Sequence, residues 1–138
     1  MREPEVLLDT DTVSAITKRH PQVTTRASEY RRTRGKLSIS IITRYEVLRG
    51  LEYRDALRQR RVFDGFCDDN LVLDLSEDIV LRAAAEYARL RRSGTPTGDL
   101  DLLLAATALH HGLVFVTNNT RHFERIEGLQ LQNWMERS

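Results

Sequence analysis

The sequence predicts an α/β fold, a central and mostly parallel sheet of four to five strands covered by helices on both faces. Two observations carry this. Short apolar, β-rich runs recur along the chain, and the longer stretches between them repeat their apolar residues at helical spacing. Strands separated by helices pair in parallel, because the crossover returns the chain to the same end of the sheet, and such sheets are buried on both faces.

The elements follow in order. "VLL" at Val6–Leu8 is a short apolar strand, and "DTVSAITKRH" and "VTTRASEYRR" after it read as helices. "LSISI" (37–41) alternates as a half-buried strand does and precedes helical patterns in "TRYEVLRGL" and "DALRQRRVFDGF". "LVLDL" (71–75) is the third strand, followed by the helices "SEDIVLRAAAEYARLRR" and "DLDLLLAATALHH". "LVFV" (113–116) is the fourth strand, and "LQLQNW" (129–134) can form a last one. Ligands of such sheets sit beyond the carboxyl ends of the strands, so polar residues just after strands, or at helix starts on that rim, are the candidates for chemistry.

Composition bounds the answer. With 138 residues, 41% of them apolar, the expectation is one domain over residues 1–138 with a single core. No apolar run approaches the roughly 20 residues that span a bilayer, and "MREPEVLLDTD" lacks the apolar segment of a secretory signal, so a soluble, cytoplasmic protein without membrane partners is expected. Cys67 is the only cysteine, which excludes an internal disulfide and a cysteine metal site. Of the 21 basic residues only Lys18 and Lys36 are lysine, yet the net charge is +1. Arginine's planar fork suits phosphate, and "YRRTRGK", "YRDALRQRR" and "ARLRR" are possible RNA contacts. Arginines at helical spacing also read as ordinary solvated helix faces.

Three acids stand on the expected rim. Asp9 directly follows the first strand, and Asp11 competes with it for the N-cap of the next helix; Asp11 takes the cap more easily, which leaves Asp9 for another role. Glu46 follows the second strand, although Thr43-Arg44-Tyr45-Glu46 also spells a capping box. In "TGDLDLLLAATALHHG", Asp99 and Asp101 are two residues apart and therefore point about 200° apart on a helix. With Asp99 as N-cap, Asp101 lies on the small face with Ala105 and Ala108 and turns toward the sheet. Thr117, Asn118 and Asn119 add oxygen groups after the fourth strand. Carboxylates brought this close repel and raise one another's pKa, and a cation resolves the repulsion. Oxygen-only donors fit Mg²⁺ or Mn²⁺. Zinc fits poorly, since His110 and His111 diverge on a helix with no histidine four residues away.

With these residues in place, the chain resembles the PIN-domain ribonucleases, in particular the VapC-type toxins of bacterial toxin–antitoxin pairs, almost from end to end. "LLDTD" resembles the family's opening strand with its first acid at Asp9; "ISIITRYEVLRG" its second motif, with Glu46; "PTGDLDLLLAATAL" its third, with Asp101; and "VFVTNNTRHFERIEGLQLQNW" its closing segment. The resemblance implies an α/β/α sandwich and Mg²⁺ or Mn²⁺ at an acidic cluster. It also implies endonucleolytic hydrolysis of RNA, a homodimer, and neutralisation by a cognate VapB-type antitoxin. Asp9 and Asp101 bind the metal in this reading, Glu46 positions the metal or the attacking water, and Thr117, Asn119 and Asp99 are secondary. "TNNTRHFERI" is similar to the ending of toxins that cut an initiator transfer RNA, which implies that target. Many PIN domains carry an acid where this chain has Asn119, so a complete second metal site is in doubt.

Two other functions compete. The D-x-D pattern of "LLDTDTV" after an apolar strand resembles the opening of haloacid-dehalogenase-like phosphatases, but their chemistry needs a lysine between that segment and the late acids, and no lysine follows Lys36. The other is a catalytically weak PIN-like binding module acting through protein or operator contacts.

Overall fold

A computed structural model describes residues 3–136 of the protein. Its elements run β1 (Val6–Leu8), α1 (Thr10–Thr17), α2 (Pro21–Arg34), β2 (Ser38–Ser40), α3 (Ile41–Tyr53), α4 (Leu57–Asp69), β3 (Leu71–Leu73), α5 (Glu77–Arg92), α6 (Asp99–His111), β4 (Val114–Val116), α7 (Thr120–Phe123) and β5 (Leu131–Gln132). Every strand pairing is parallel, as the alternation of strands and helices predicts. β1 pairs with β4, Val6 opposite Val114 and Leu8 opposite Val116; β4 pairs with β5; and β2 pairs with β3, Ser38 opposite Leu71. β2 lies beside β1, giving the order β3-β2-β1-β4-β5 with the hydrogen-bond ladder interrupted between β2 and β1.

Alternation along these short strands divides the core in two. Val6, Leu8, Val114 and Val116 face Val13, Val23, Tyr30, Phe63 and Trp134 from α1, α2, α4 and the C-terminal segment. Leu7 and Phe115 point the other way, onto Ile79, Leu90, Leu104, Phe123 and Ile126. Each large side chain buried this way contributes roughly 1.5–3 kcal/mol. The result is the expected α/β/α sandwich. Among the described residues no helix is long and apolar enough to cross a membrane.

Local chemistry sets the element ends. Ser76 caps α5 by accepting the Ile79 N–H, with Glu77 and Asp78 in the first turn and Arg89, Arg91 and Arg92 in the last, the charge order that the helix dipole favours. Gly112 ends α6 in the left-handed conformation, φ 67°, which glycine adopts without steric cost. Several ends differ from the sequence expectation, β3 stopping at Leu73 and β5 spanning only Leu131–Gln132; two differences have a plain local cause. Ile41 opens α3 and does not close β2, because the Ser40 hydroxyl accepts the Ile42 N–H and starts the helix there. Residues 120–123 form the short helix α7, too brief to leave a periodic signature.

Where the ladder is interrupted, the buried Val6 N–H finds the Tyr30 hydroxyl instead, at 3.2 Å. Tyr30 is 3% exposed and its ring packs against Trp134, centroids 5.9 Å apart. Tyr30→Phe keeps the packing and leaves the N–H without its partner, so a loss of about 1–2 kcal/mol is expected in urea unfolding. Unfolding at the wild-type midpoint would show that water satisfies this N–H equally well.

Candidate active site

The parallel register of β1 and β4 ends both strands at one level, Leu8 opposite Val116. The next residues, Asp9 and Thr117, therefore lie side by side at the carboxyl rim. The Thr117 hydroxyl, fully buried, donates to Asp9 Oδ2 at 2.7 Å and accepts the Asn119 N–H at 3.0 Å. The Thr10 N–H donates to Asp9 Oδ1 at 2.8 Å. Both carboxylate oxygens are held, and the residue is 8% exposed.

The N-cap of α1 is Asp9, not Asp11. Helix follows strand with a single residue between them, so only Asp9 has the extended backbone a cap requires. Asp11, second in the helix, instead accepts the Asn118 N–H at 3.0 Å through Oδ2. Asp11 is thus a fourth acid at the rim, concealed in the sequence by its suitability as a cap.

Glu46 is the sixth residue of α3 and not the end of a capping box, because Ser40 caps the helix earlier. Thr43 is fully buried, its hydroxyl 3.0 Å from that of Thr10. The Thr10 hydroxyl donates to Glu46 Oε1 at 2.7 Å, while Arg49 lies 3.7 Å from Oε2. Thr10 thereby links Asp9, through its N–H, to Glu46, through its hydroxyl. Sequence reasoning missed it, since a threonine after the acid is also an ordinary first helical residue.

Asp99 and Asp101 separate as helical geometry predicts. The N-cap of α6 is however Gly98, not Asp99 as expected, because the extended backbone lies at Gly98 and Asp99 is already the first helical residue and makes no cap bond; Asp99 lines a groove with Val80, Tyr87 and Leu103 between α5 and α6. Asp101 lies on the side of Ala105 and Ala108, both buried, and its Oδ2 is 3.1 Å from Nε2 of His122 on α7. His122 also escaped the sequence reading, because nothing along the chain relates residue 122 to residue 101.

The electrostatics follow from this crowding. Burial raises the pKa of Asp9 to about 7, the charges of Asp11 and Asp101 raise it as well, and the bonds from Thr117 and Thr10 oppose the rise. Asp11 is raised too, by burial first and also by Asp101, against the Asn118 and Thr12 hydrogen bonds. A buried carboxyl that holds its proton near neutrality beside two other acids is a place where a cation would relieve the charge, and the donors are all hard oxygens. In charge and donor chemistry the residues fit a divalent ion. As the side chains stand, no three Asp, Glu, His or Cys groups among the described residues converge on one ion position; Glu46 is bonded to Thr10 and Asp101 to His122.

Each arginine cluster is at least partly paired within the chain. Arg34 donates to the Glu3 carbonyl at 2.6 Å, Arg60 meets Asp64 at 3.3 Å, and Arg89 meets Glu86 at 2.8 Å.

Comparison with known proteins identifies relatives of this chain. The PIN domain matches residues 6–129. A relative from Salmonella typhimurium named tRNA(fMet)-specific endonuclease VapC is 35% identical over 93% of this chain and 96% of its own length. Ribonuclease VapC2 of Haemophilus influenzae is 32% identical over 94% of this chain and 97% of its own. Among solved structures, DNA-bound VapBC from Salmonella typhimurium superposes with a TM-score of 0.85 at 34% identity, covering 96% of this chain and 99% of that one. The phosphatase reading of the D-x-D opening is not favoured.

The raised pKa of Asp9 has a consequence for stability. A carboxyl with its pKa raised on folding stabilises the folded state fully below its unfolded pKa, near 4, and loses that contribution as pH rises through the folded value of about 7. Three units correspond to about 4 kcal/mol. In EDTA, Asp9→Asn is therefore expected to raise the Tm more at pH 8 than at pH 5. An equal or smaller gain at pH 8 would show that Asp9 is ionised across the range.

Proposed function

This chain belongs to the PIN-domain family, and we propose that it is a VapC-type endoribonuclease, the toxin of a toxin–antitoxin pair, dependent on Mg²⁺ or Mn²⁺. Its substrate is RNA, with initiator transfer RNA the proposed target, and its partner is a cognate VapB-type antitoxin. It acts as a homodimer in the cytoplasm, each copy a single PIN-like domain over residues 1–138. The observation that carries the reading is Asp9, buried beside Asp11 and Asp101 at the ends of two parallel strands in a chain of this family.

In this reading Asp9 and Asp101 hold the cation. A divalent ion held by these carboxylates would supply charge stabilisation at the phosphate oxygens and activation of water for hydrolysis. The chain's own residues prepare the site for it. Thr117 and Thr10 fix the two oxygens of Asp9, so that little reorganisation accompanies loading. Glu46, held through the Thr10 hydroxyl, positions the ion or the attacking water. Asn119 follows Thr117 on the same rim and, lacking a carboxylate's charge, orients water or ligates weakly. Asp99 faces the α5–α6 groove and takes a secondary place outside the chemistry.

Incubating the purified protein with total RNA and Mg²⁺ or Mn²⁺, with EDTA as control, tests the proposal, and sequencing the fragment ends names the target. Asp101→Asn is expected to reduce cleavage about a hundredfold or more while the fold persists. Asp99→Asn, which removes only a first-turn helix charge, is expected to cost about 0.5 kcal/mol of stability and leave the rate near wild type. Wild-type cleavage by the Asp101 variant would overturn the assignment, and RNA binding without fragments would favour a binding module.

A further inference from the structure

The turn and short helix after β4 supply a hydrogen-bond donor to each of three rim acids. Thr117 donates its hydroxyl to Asp9, Asn118 its backbone N–H to Asp11, and His122 its ring N–H to Asp101. A carboxylate oxygen accepts hydrogen bonds, so at 3.1 Å from Asp101 Oδ2 the ring proton of His122 is assigned to Nε2. We propose that His122 is a positioning residue that fixes the Asp101 carboxylate for cation binding; this rests on the functional reading in which Asp101 holds the cation.

Asp101 needs such a device more than Asp9 does. Asp9 is buried with both oxygens bonded, whereas the Asp101 side chain is 39% exposed at the third position of α6. Among the described residues its only hydrogen-bond partner outside its own helix is His122. The imidazole is itself well anchored. Its ring packs edge-on against Phe123, centroids 5.0 Å apart at 84°. Phe123 is 1% exposed and packs in turn on Phe115, at 4.8 Å, in the centre of β4. The position of the Asp101 carboxylate is thus tied through two aromatic rings to the strand that also places Thr117. Ligating carboxylates are commonly hydrogen-bonded from behind in this manner, and loss of the outer partner typically costs 10- to 100-fold in metal affinity.

The experiment is a Mn²⁺ titration of the full chain followed by electron paramagnetic resonance, alongside kcat and KM for RNA cleavage and metal-free thermal unfolding. His122→Ala is expected to weaken Mn²⁺ binding roughly 10- to 100-fold and to lower kcat at subsaturating metal with the RNA KM little changed. His122→Gln places an amide donor where Nε2 stood and is expected to recover most of both losses. His122→Asn, whose amide falls short of Asp101, is expected to behave like the alanine variant with less disturbance of packing. Wild-type Mn²⁺ affinity in the Ala and Asn variants, or a Gln variant no better than Ala, would overturn the role of His122 while leaving the nuclease reading intact. A wild-type protein that neither binds Mn²⁺ nor cuts RNA would overturn the functional reading, and this inference with it.

Discussion

The parallel pairing of β1 with β4 is the constraint on which the site depends. Because the two strands end at the same level, the chain must place its next residue from each, Asp9 and Thr117, side by side above the sheet. A shift of one residue in register would separate this pair and also exchange the two faces of the sheet. Leu7 would be directed at the α1–α4 layer, and Val6 and Leu8 at the α5–α6 layer. Site geometry and core packing are therefore set by the same ladder. That is why three-residue strands, short by any measure, suffice to hold a defined arrangement of acids.

The arrangement opposes stability. Asp9 is desolvated and repelled by Asp11 and Asp101, and the fold tolerates this because hydrogen bonds from Thr10 and Thr117 meet the carboxylate. Such bonds from fixed neighbours cost no reorganisation when charge changes. Strain of this kind is sited where a cation would turn it into attraction, which is the usual relation between an acidic centre and the fold around it.

The helices divide the work between the two faces. On one side α1 and α3 bring Thr10 and Glu46 together. On the other, α6 and α7 bring Asp101 and His122 together, with Phe123 anchoring the short helix in the core. The rim between β1 and β4 is where the two layers meet, so each face contributes to one cluster. The arginine clusters belong to helix ends and surfaces, where pairs with Glu86 and Asp64 and the dipoles of α2 and α5 account for much of their placement.

Much of this was legible along the chain. Apolar, β-rich runs and the helix-length stretches between them placed the five strands and six of the seven helices, and because alternation of strands with helices leaves few topologies, the parallel sheet followed. Helical phase alone separated Asp101 from Asp99, since an angle of about 200° between them does not depend on the rest of the molecule. Capping was less legible. The sequence favoured Asp11 and Thr43 as caps, whereas Asp9 and Ser40 cap the helices, because the choice rests on where the strand ends, which pairing with β4 or β3 decides. The partners of the acids were the least legible. Thr10 to Glu46, Asn118 to Asp11 and His122 to Asp101 span 21 to 107 residues of sequence, and no local propensity encodes such distances. The sequence by itself determined five strands, six helices and the candidates Asp9, Glu46 and Asp101, because these are read from neighbouring residues; it did not mark α7 or the place of Asp11 at the rim. Only the tertiary structure decided which donors hold those acids, because the register of the sheet and the packing of α7 bring distant residues within hydrogen-bond range.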